Sequence, residues 1–565
     1  MSSIIGIDLG STNSLVSYWD GNKSVIIPNT FGDNLTPSVV GLDDNNQILV
    51  GAVAKERLIT HPHKTAAIFK RYMGSDKTYD FGVDTLFRPE ELSSFVLRSL
   101  KADAEAFLGE TVFEAVISVP AYFNDQQRRA TQAAGELAGL KVERLINEPT
   151  AAALSYGLHR QDEESSFLIF DLGGGTFDVS VLSLFAGIIE VNATAGHNAL
   201  GGEDFVDLML ESFIQKQQLD TLTLKDRSKL RWKIEQLKRD LTNNYEASFE
   251  IEINQKELTW SLSRDEFEQL CAPLISRIRQ PIERALNDAR MSPADLKNII
   301  LVGGATRMPM VRSLVAKMFG RLPTSHHNPD EIIALGAAVQ AGLKARDATL
   351  SDVILTDVCP YTLGLETVRT TKDKHYESGF YTPIIERNTV IPVSREEVFS
   401  TCYDNQSSML LNIYQGESRL VRDNIKLGEL IIELEPAPAG EQLVTVRYTY
   451  DINGILEVNT RVKATGKLES LVIKNDACHL SEREIKARLK ELETLKIHPR
   501  DQLENRMLIA RGERLFEQSL GETRDFISEQ LLQFEVFVND QNIKEIQQAL
   551  IRINDEFSQI ELKRI

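Results

Sequence analysis

Apolar residues recur with three different periods along this chain, and each period predicts a different kind of structure. Up to about residue 350, short apolar runs typical of strands alternate with amphipathic helical segments, which favours an α/β fold. From Cys359 to about Lys474, apolar and polar positions alternate in short runs, which predicts an antiparallel β-sandwich. Val444, Val446, Tyr448 and Tyr450 share one face of a strand there, and Asn453–Gly454 supplies a turn. Nearer the C-terminus a spacing of three and four predicts a helix-bundle seam, formed by Ile543, Ile546, Leu550, Ile553, Phe557 and Ile560.

These changes of period divide the chain into residues 1–350, a linker at 351–358, a β-sandwich at 359–478 and a helical segment at 479–565. A chain of 565 residues is too long for one hydrophobic core, so several domains are expected. The linker, SDVILTDV, is a short apolar strip flanked by acidic residues, and such a strip is costly to leave in water. Ser481 with Glu484 has the pattern of a capping box at the start of the helical segment.

One stretch of the first region carries clear chemistry. Residues 167–182, FLIFDLGGGTFDVSVL, read as two strands joined by a bend that contains Asp171 and the glycines 173–175. Because glycine lets the backbone approach a ligand closely, successive N–H groups at such a bend can surround a phosphate. Asp171 can hold a hydrated Mg²⁺, and Thr176 places a hydroxyl beside it.

The same pattern occurs at the N-terminus, where residues 4–7 lead into Asp8, Leu9, Gly10, Ser11, Thr12 and Asn13. A single glycine bend is weak evidence, because glycine in a hairpin is usually only turn chemistry. Two copies suggest a duplicated fold whose halves close on one nucleotide. A third bend at Gly201 and Gly202 carries Asp204, which we expect to join Asp8 and Asp171 around the water shell of the metal.

Composition narrows the classes of function. A formal charge of −19 with no long basic cluster argues against a nucleic-acid partner. The four cysteines, Cys271, Cys359, Cys402 and Cys478, lie far apart, which indicates neither a disulfide framework nor a zinc site and fits a reducing compartment. No apolar run approaches membrane-spanning length, and MSSIIGID does not resemble a signal segment, so we expect a cytoplasmic protein without a membrane partner.

Seven segments together resemble the DnaK-like seventy-kilodalton heat-shock chaperone family, and within it the bacterial HscC branch. They are GIDLGSTNS, VPAYFNDQQR, INEPTAAAL, DLGGGTFDVS, GGEDF, ILVGGATRMPMV and NPDEIIALGAAVQAG. The resemblance implies a duplicated actin-like, ribonuclease-H-like ATPase domain of two lobes, then a peptide-binding β-sandwich and a short α-helical lid. It implies an ATP-dependent chaperone that couples binding and hydrolysis of Mg-ATP to the release and trapping of extended hydrophobic peptides of client proteins.

The resemblance also assigns residues to roles in the ATPase site. Catalytic roles fall on Lys70, Glu148, Asp171 and Thr176, and the metal would be held through water by Asp8, Asp171 and Asp204. ATP or ADP would be bound with Mg²⁺, and K⁺ is a further candidate ion. The nucleotide would contact Gly10, Ser11, Thr12, Asn13, Gly173, Gly174, Gly175, Gly201, Gly202, Glu235, Lys238, Arg239, Gly303, Gly304, Arg307 and Asp330. From the residues alone, a solvated cation is the favoured interpretation of Lys70, and Glu148 can be a first-turn glutamate that stabilises a helix dipole.

Peptide-binding and coupling roles follow from the same resemblance. The peptide pocket would contain Leu365, Phe399, Met409 and Leu411, with Val368 and Cys402 arching over the peptide. Coupling between the domains would use Pro120, Arg128, Arg144, Asn147, Val353, Ile354, Leu355 and Asp357. The implied partners are client polypeptides and a J-domain co-chaperone that docks near Arg144, Asn147 and Asp357, whereas the need for an exchange factor stays open.

Other classes of protein share part of this sequence pattern. A sugar or acetate kinase shares the duplicated nucleotide fold, as does an actin-like filament protein or a nucleotide-sensing regulator. Neither accounts for a β-sandwich attached by an apolar linker. No GxxxxGK[ST] segment occurs, which excludes a P-loop NTPase on motif grounds. The histidine pairs His61 with His63 and His326 with His327 lack the helical or cysteine spacing typical of metal sites.

Overall fold

The computed structural model describes residues 3–82, 86–157, 164–185, 188–219, 221–253, 255–324, 328–350, 354–370, 376–452, 454–473 and 498–562. The strands of the α/β region are β1 (Ile4–Asp8), β2 (Asn13–Trp19), β3 (Ser24–Ile27), β4 (Thr36–Pro37), β5 (Val39–Leu42), β6 (Ile48–Val50), β7 (Thr65–Ala67), β8 (Tyr79–Asp80), β9 (Leu86–Phe87), β10 (Glu114–Val119), β11 (Lys141–Asn147), β12 (Ser165–Leu172), β13 (Phe177–Phe185), β14 (Ile188–His197), β15 (Glu246–Ile253), β16 (Lys256–Ser263) and β17 (Asn298–Val302). The later strands are β18 (Ile354–Val358), β19 (Leu363–Thr370), β20 (Tyr376–Ile385), β21 (Val390–Ile391), β22 (Val393–Ser400), β23 (Ser408–Gln415), β24 (Ile425–Glu433), β25 (Leu443–Tyr450), β26 (Leu456–Val462) and β27 (Leu468–Ile473).

The helices concentrate in the α/β region and at the C-terminal end. They are α1 (Ala52–Thr60), α2 (Pro89–Leu108), α3 (Asp125–Leu137), α4 (Glu148–Gly157), α5 (Gly202–Gln217), α6 (Leu224–Asn243), α7 (Arg264–Asp288), α8 (Pro309–Phe319), α9 (Ile332–Lys344), α10 (Leu503–Glu517), α11 (Glu522–Asn539) and α12 (Ile543–Leu562). Within the described ranges, one compact unit comprises residues 3–361 with 387–391, and a second comprises 362–386, 392–473 and 498–562.

Two six-stranded sheets form the framework of the first unit. In one sheet β1 pairs antiparallel with β2 and parallel with β10, and in the other β12 pairs antiparallel with β13 and parallel with β17. Each sheet therefore repeats the same arrangement of a hairpin beside a parallel strand. The two predicted hairpins, β1–β2 and β12–β13, occupy equivalent positions, as the repeated sequence pattern suggests.

Helices α4 and α9 pack against each other between these sheets. Their contact is unusually close, because a Cβ on Gly336 of α9 would come within 1.7 Å of the Ala151 carbonyl oxygen of α4. Only glycine permits that approach. α4 also contacts β12 and β13, and α9 contacts β1 and β2, so the pair places the two hairpins at a fixed distance from each other.

The linker forms a strand of the second sheet. Strand β18 pairs parallel with β14 through Ile354, Leu355 and Thr356, and β21 then pairs with its end at Asp357 and Val358. Leu355 packs against the core and Val358 is buried, so part of the apolar strip is removed from water by joining a sheet edge. Val353, which belongs to the predicted linker, lies outside the described residues.

Two four-stranded antiparallel sheets make up the β part of the second unit, in the orders β20-β19-β23-β24 and β22-β25-β26-β27. The alternation predicted for Val444, Val446 and Tyr448 is present, since all three side chains are buried. Leu456, Val458 and Val462 continue the buried face on β26. The turn predicted at Asn453–Gly454 cannot be followed at Asn453, which lies outside the described residues.

Helices α10, α11 and α12 share a hydrophobic core in the second unit. Ile546, Ile553 and Phe557 of the predicted seam are buried, and Leu550 and Ile560 pack against them. Ile543, the first residue of α12, is 40% exposed. The predicted capping box at Ser481 and Glu484 falls outside the described residues. No helix among the described residues is long and apolar enough to cross a membrane.

Candidate functional site

The two hairpin bends of the first unit touch each other. A Cβ on Gly174 would lie 1.8 Å from Thr12 Oγ1, and a Cβ on Gly175 would lie 2.5 Å from Ser11 Oγ. No side chain fits into either space, so glycine at both positions is what allows the bends to meet. The contact joins the β1–β2 bend to the β12–β13 bend, and it brings the aspartates at the ends of β1 and β12 to one site.

A cavity of about 580 Å³ opens at this junction. Most of the residues that the sequence assigned to a nucleotide site line it: Asp8, Gly10, Ser11, Thr12, Asn13, Lys70, Glu148, Asp171, Gly173, Gly174, Thr176, Gly202, Glu235, Lys238, Arg239, Gly303, Gly304, Arg307 and Asp330. The wall also contains residues that were not predicted, namely Leu15, Leu35, Glu203, Thr242, Asn243, Ala305, Met308, Arg312, Pro329 and Ile333. Gly175 and Gly201 do not line it; they lie behind the wall, where Gly201 backs onto Gly174.

Buried carboxyl groups crowd the base of the cavity. Burial, reinforced by the negative charge of Glu148, raises the pKa of Asp8 to about 7 and the pKa of Asp178 to about 8. Burial also raises the pKa of Asp171 well above its usual range, with further contributions from the charges of Glu148, Asp178 and Asp8. These mutual effects mean that the carboxyl groups lie close enough to repel one another when ionised. A cation bound among them would relieve that repulsion.

A buried ion pair stands beside these groups. Lys70 Nζ lies 2.8 Å from Glu148 Oε1, and both side chains are almost fully buried. Lys70 belongs to a short 3₁₀ helix at Phe69–Tyr72, and Glu148 is the first residue of α4, directly after β11. The positive charge of Lys70 lowers the pKa values of Asp8, Asp171 and Asp178, and this opposes the effect of burial. The pair places one cation and one carboxylate at the cavity wall, close to both bends.

Helix α6 and the segment after β17 form the opposite end of the cavity. Glu235 accepts from Lys238 at 2.6 Å and from Arg239 at 2.7 Å, and Lys238 Nζ also donates to the Gly202 carbonyl oxygen at 3.1 Å. Arg307 donates to Asp330 at 2.6 Å. Two exposed guanidinium planes, those of Arg239 and Arg307, therefore lie on the cavity wall with acidic residues beside them.

The expectation that Asp204 joins Asp8 and Asp171 is not met by the structure. Asp204 lies in the first turn of α5, where its Oδ2 accepts from the Gly201 N–H at 2.7 Å and pairs with the Arg71 guanidinium. It does not line the cavity. Its carboxylate caps the N-terminus of α5, which is a common role for an acidic residue in the first turn of a helix.

Asp178 instead supplies a further buried carboxyl group next to Asp171, although it too does not line the cavity. It lies on β13 beside Asp171 on β12, is 1% exposed, and accepts from the Tyr122 N–H at 3.1 Å. The sequence carries a signal that could have found it. Asp178 interrupts the otherwise apolar strand of residues 177–182, and an aspartate is rarely fully buried without a specific partner or role. Ser118, which donates to Asp8 at 2.8 Å, was also missed.

Three of the residues predicted to couple the domains, Arg128, Asn147 and Asp357, form a connected chain of hydrogen bonds within the first unit. Arg128 donates to Asn147 Oδ1 at 2.6 Å, and Asn147 donates to Asp357 Oδ2 at 2.9 Å. Pro120 directly follows β10. Arg144 is half-buried and donates to Gln340 at 2.8 Å, so it is not simply an exposed charge. Asp357 belongs to β18, and the chain therefore runs from the linker strand to α3.

The residues predicted for peptide binding lie in the second unit on β19 and β23 of one sheet, on β22 of the other sheet, and in the segment after β22. Leu365 on β19 and Met409 and Leu411 on β23 are buried. Val368 and Phe399 are half-buried, as is Cys402 in the segment after β22. Val368 lies at a register shift between β19 and β20, which bends the strand at that point.

Whether the cavity suits a magnesium ion can be judged from its donors. Among the described residues, no group of three or more His, Cys, Asp or Glu side chains is placed to hold a metal ion by itself. Asp171 Oδ2, however, is buried and has no hydrogen-bond partner within the described ranges. A buried carboxylate oxygen without a partner is costly unless a cation or its water occupies the space. The site therefore fits a hydrated magnesium ion that arrives with phosphate ligands.

The sequence of the whole chain agrees with this geometry. A family model described as Hsp70 protein matches residues 4–84 and 80–564. Members of that family are ATPases that bind ATP or ADP with Mg²⁺, and they bind client polypeptides and co-chaperones, so membership implies ATP-dependent chaperone activity. The match covers nearly the whole chain, including both compact units, and we conclude that the chain belongs to the Hsp70 family.

Proposed function

We propose that this protein is a chaperone that binds short, extended, hydrophobic segments of client polypeptides and uses Mg-ATP to control their release. The observation that carries the proposal is the contact between the two glycine bends, which places Asp8, Asp171, Lys70 and Glu148 around one cavity. We propose further that the two six-stranded sheets act as two lobes that close on the nucleotide, and that α10, α11 and α12 act as a lid. Within the family, the HscC branch is the proposed placement.

The bends are suited to hold the phosphates. Backbone N–H groups at residues 10–13 and 173–175 would donate to phosphate oxygens, as in other anion-binding concavities. Bound Mg²⁺ would neutralise phosphate charge and orient the β- and γ-phosphates. Asp8, Asp171 and Asp178 would hold it through its water ligands, and K⁺ is a further candidate at this site. Because their pKa values are raised in the free protein, these carboxyl groups gain most from the arrival of positive charge.

Hydrolysis would be assisted by three side chains on the cavity wall. Lys70 would stabilise negative charge on the transferring phosphoryl group and fix the attacking water. Glu148, held by Lys70 at 2.8 Å, would orient that water or accept its proton. Thr176, beside Asp171 at the bend, would add a hydroxyl donor. At the other end, Glu235 and Lys238 would contact the ribose, while Arg239 and Arg307 would cover the base from two sides, with Asp330 near the ribose.

The linker strand would report the state of this cavity to the peptide site. β18 is paired with β14 here, and Asp357 is held by Asn147, whose partner Arg128 lies on α3. Release of β18 would break these bonds together and free the linker, which includes Val353, Ile354 and Leu355. Nucleotide and peptide would then influence each other through two arrangements of one strand, as coupling between sites requires.

Peptide would be held in the second unit by Leu365, Phe399, Met409 and Leu411, with Val368 and Cys402 over it. One apolar pocket with backbone hydrogen bonds favours short aliphatic segments and little sequence discrimination. Methionine at position 409 is flexible and polarizable, which suits a pocket that accepts varied side chains. A J-domain co-chaperone would dock near Arg144, Asn147 and Asp357. We propose a cytoplasmic location, clients that are unfolded or extended, and no nucleic-acid or membrane partner.

The proposal is tested by the rate at which a fluorescent hydrophobic peptide leaves the full-length chain. We expect ATP to speed dissociation strongly relative to ADP, and we expect peptide to raise the ATP turnover. A matched charged peptide of the same length is the control. Equal dissociation rates with ATP, with ADP and without nucleotide would overturn the chaperone function, even if ATP is bound.

A further inference from the structure

Residues 121–123, just after β10, accept three hydrogen bonds from side chains at their backbone carbonyl oxygens. Arg128 Nη2 donates to the Ala121 carbonyl oxygen at 3.1 Å, and Arg128 Nε donates to the Phe123 carbonyl oxygen at 3.1 Å. The carbonyl oxygen between them, that of Tyr122, accepts from the hydroxyl of Tyr361 at 2.7 Å. Three consecutive backbone acceptors are therefore occupied by only two residues, one on α3 and one just beyond the linker strand.

The same segment contacts the cavity base on its other side. The Tyr122 N–H donates to Asp178 Oδ1 at 3.1 Å, and Lys70 Nζ lies 5.6 Å from the centre of the Phe123 ring. A shift of this segment would therefore alter the surroundings of both Asp178 and Lys70. Preorganised donors of this kind lose much of their effect when they move by a fraction of a hydrogen-bond length.

Tyr361 is tied to the linker strand by a very short stretch of chain. Only Cys359 and Pro360 separate it from Val358, the last residue of β18. Three residues span at most about 10 Å when fully extended, so Tyr361 cannot keep its contact if β18 moves further than that. Its ring packs on Tyr122 with centroids 4.5 Å apart and planes inclined by 42°. The contact therefore depends on β18 remaining in the sheet.

We propose that Tyr361 is a positioning residue that senses the linker strand and holds residues 121–123 against the buried carboxyl group of Asp178. The hydrogen bonds from Asp357 through Asn147 to Arg128 also end on this segment, at the carbonyl oxygens of Ala121 and Phe123. Tyr361 would act in parallel with them, because it donates to the carbonyl oxygen of Tyr122, which Arg128 does not bind. The inference rests on the proposed function, because its consequence is a change in ATP hydrolysis when the linker moves.

Exchange of the Tyr122 amide hydrogen is the direct readout. Tyr361→Phe keeps the ring contact and removes only the hydroxyl, and Tyr361→Leu removes both. Loss of one such hydrogen bond should raise exchange at Tyr122 about 2- to 10-fold. Exchange is measured on the full-length chain without nucleotide, with Mg-ADP and with Mg-ATP. Tyr245→Phe is the matched control, because Tyr245 also donates its hydroxyl to a partner in the same unit, Asp265, but lies outside the cavity wall.

Single-turnover hydrolysis provides the functional readout. We expect Tyr361→Phe to slow hydrolysis at least twofold and Tyr361→Leu to slow it more, while the Kd for ATP and the Tm change little. A merely structural role would instead lower the Tm without a selective loss of rate. Unchanged Tyr122 exchange in all three nucleotide conditions, together with an unchanged hydrolysis rate for Tyr361→Phe, would overturn this inference alone. A wild-type chain that hydrolyses no ATP would contradict the proposed function instead.

Discussion

Replacing Lys70 by alanine should separate nucleotide binding from nucleotide hydrolysis. Lys70 lies in the cavity wall 2.8 Å from Glu148, and the two side chains are only 3% and 7% exposed. Loss of one electrostatic donor at a reacting group costs about 10²- to 10³-fold in rate. ATP affinity should change far less, because the phosphates retain the backbone donors of both bends.

The same substitution should also destabilise the protein, and this effect must be separated from the catalytic one. Removing one partner of a buried pair costs about 3–5 kcal/mol, because the remaining charge has no compensation. The double variant Lys70→Ala/Glu148→Gln removes that unpaired charge. We expect it to recover most of the lost unfolding free energy but none of the lost hydrolysis.

The assays are single-turnover hydrolysis of radiolabelled ATP, calorimetric titration with ATP, and urea unfolding. Lys101→Ala serves as the matched control, since Lys101 pairs with Glu105 on α2, outside the cavity wall. A hydrolysis rate for Lys70→Ala within tenfold of the wild-type rate would refute the assigned role. Recovery of hydrolysis in the double variant would refute the separation of stability from catalysis.

Three further predictions address the bends, the carboxyl groups and the linker strand. Gly174→Ala should weaken ATP binding at least tenfold, because its Cβ would lie 1.8 Å from Thr12 Oγ1. Gly440→Ala in the other unit strains a backbone with φ of +83° but meets no neighbouring atom, so it should leave ATP binding unchanged. Equal ATP affinities of the two variants would contradict the contact between the bends. The folded-state pKa values of Asp8 and Asp178 are raised to about 7 and about 8, so the stability of the nucleotide-free protein should fall as the pH rises from 5.5 to 8.5. Mg-ADP should stabilise the protein more strongly at the upper end of this pH range. A thermal-melt series in which Asp178→Asn shows the same pH slope as wild type would refute this prediction. Asp357→Ala should release β18, because Asn147 and Thr150 lose their hydrogen-bond partner on that strand. Proteolysis after residue 350 should then be faster than in wild type. Identical cleavage rates for the variant and wild type would mean that these bonds do not hold the strand.

Much of the site could be predicted because its pattern is local and repeated. Asp8 and Asp171 each follow an apolar strand and precede glycine, and a strand end is where side chains of an α/β fold meet a ligand. The capping box that Asn124 and Gln127 form at the start of α3 is a feature of the same local kind. In these cases the decisive interactions lie within a few residues of one another.

The failures concern partners that are distant in sequence. Asp204 follows a glycine bend just as Asp171 does, but its carboxylate is satisfied by Gly201 and Arg71, and no local pattern reveals Arg71 as a partner. Asp178 was not selected from the sequence, because the closeness of its carboxyl group to that of Asp171 arises from the pairing of β13 with β12. The pairing of β21 with β18 likewise joins residues 390–391 to the first unit, although they lie within the predicted β-sandwich.

The sequence also could not locate the partner of the linker. Its apolar residues indicated that it must be covered, but the edge of β14 that covers it is more than 150 residues away. Contact with Tyr361 is similarly remote, since Tyr122 lies 239 residues earlier in the chain. Long-range register of this kind arises from the packing of whole sheets rather than from any local preference.

In the proposed function, two matching acidic bends hold one magnesium nucleotide between them. A crystal structure of the full-length chain grown with Mg-ADP and phosphate tests it most directly. The account predicts one magnesium ion whose water ligands contact both Asp8 and Asp171, with phosphate oxygens on the amides of both bends. Nucleotide bound elsewhere, or a metal ion that contacts only one of the two aspartates, would contradict it.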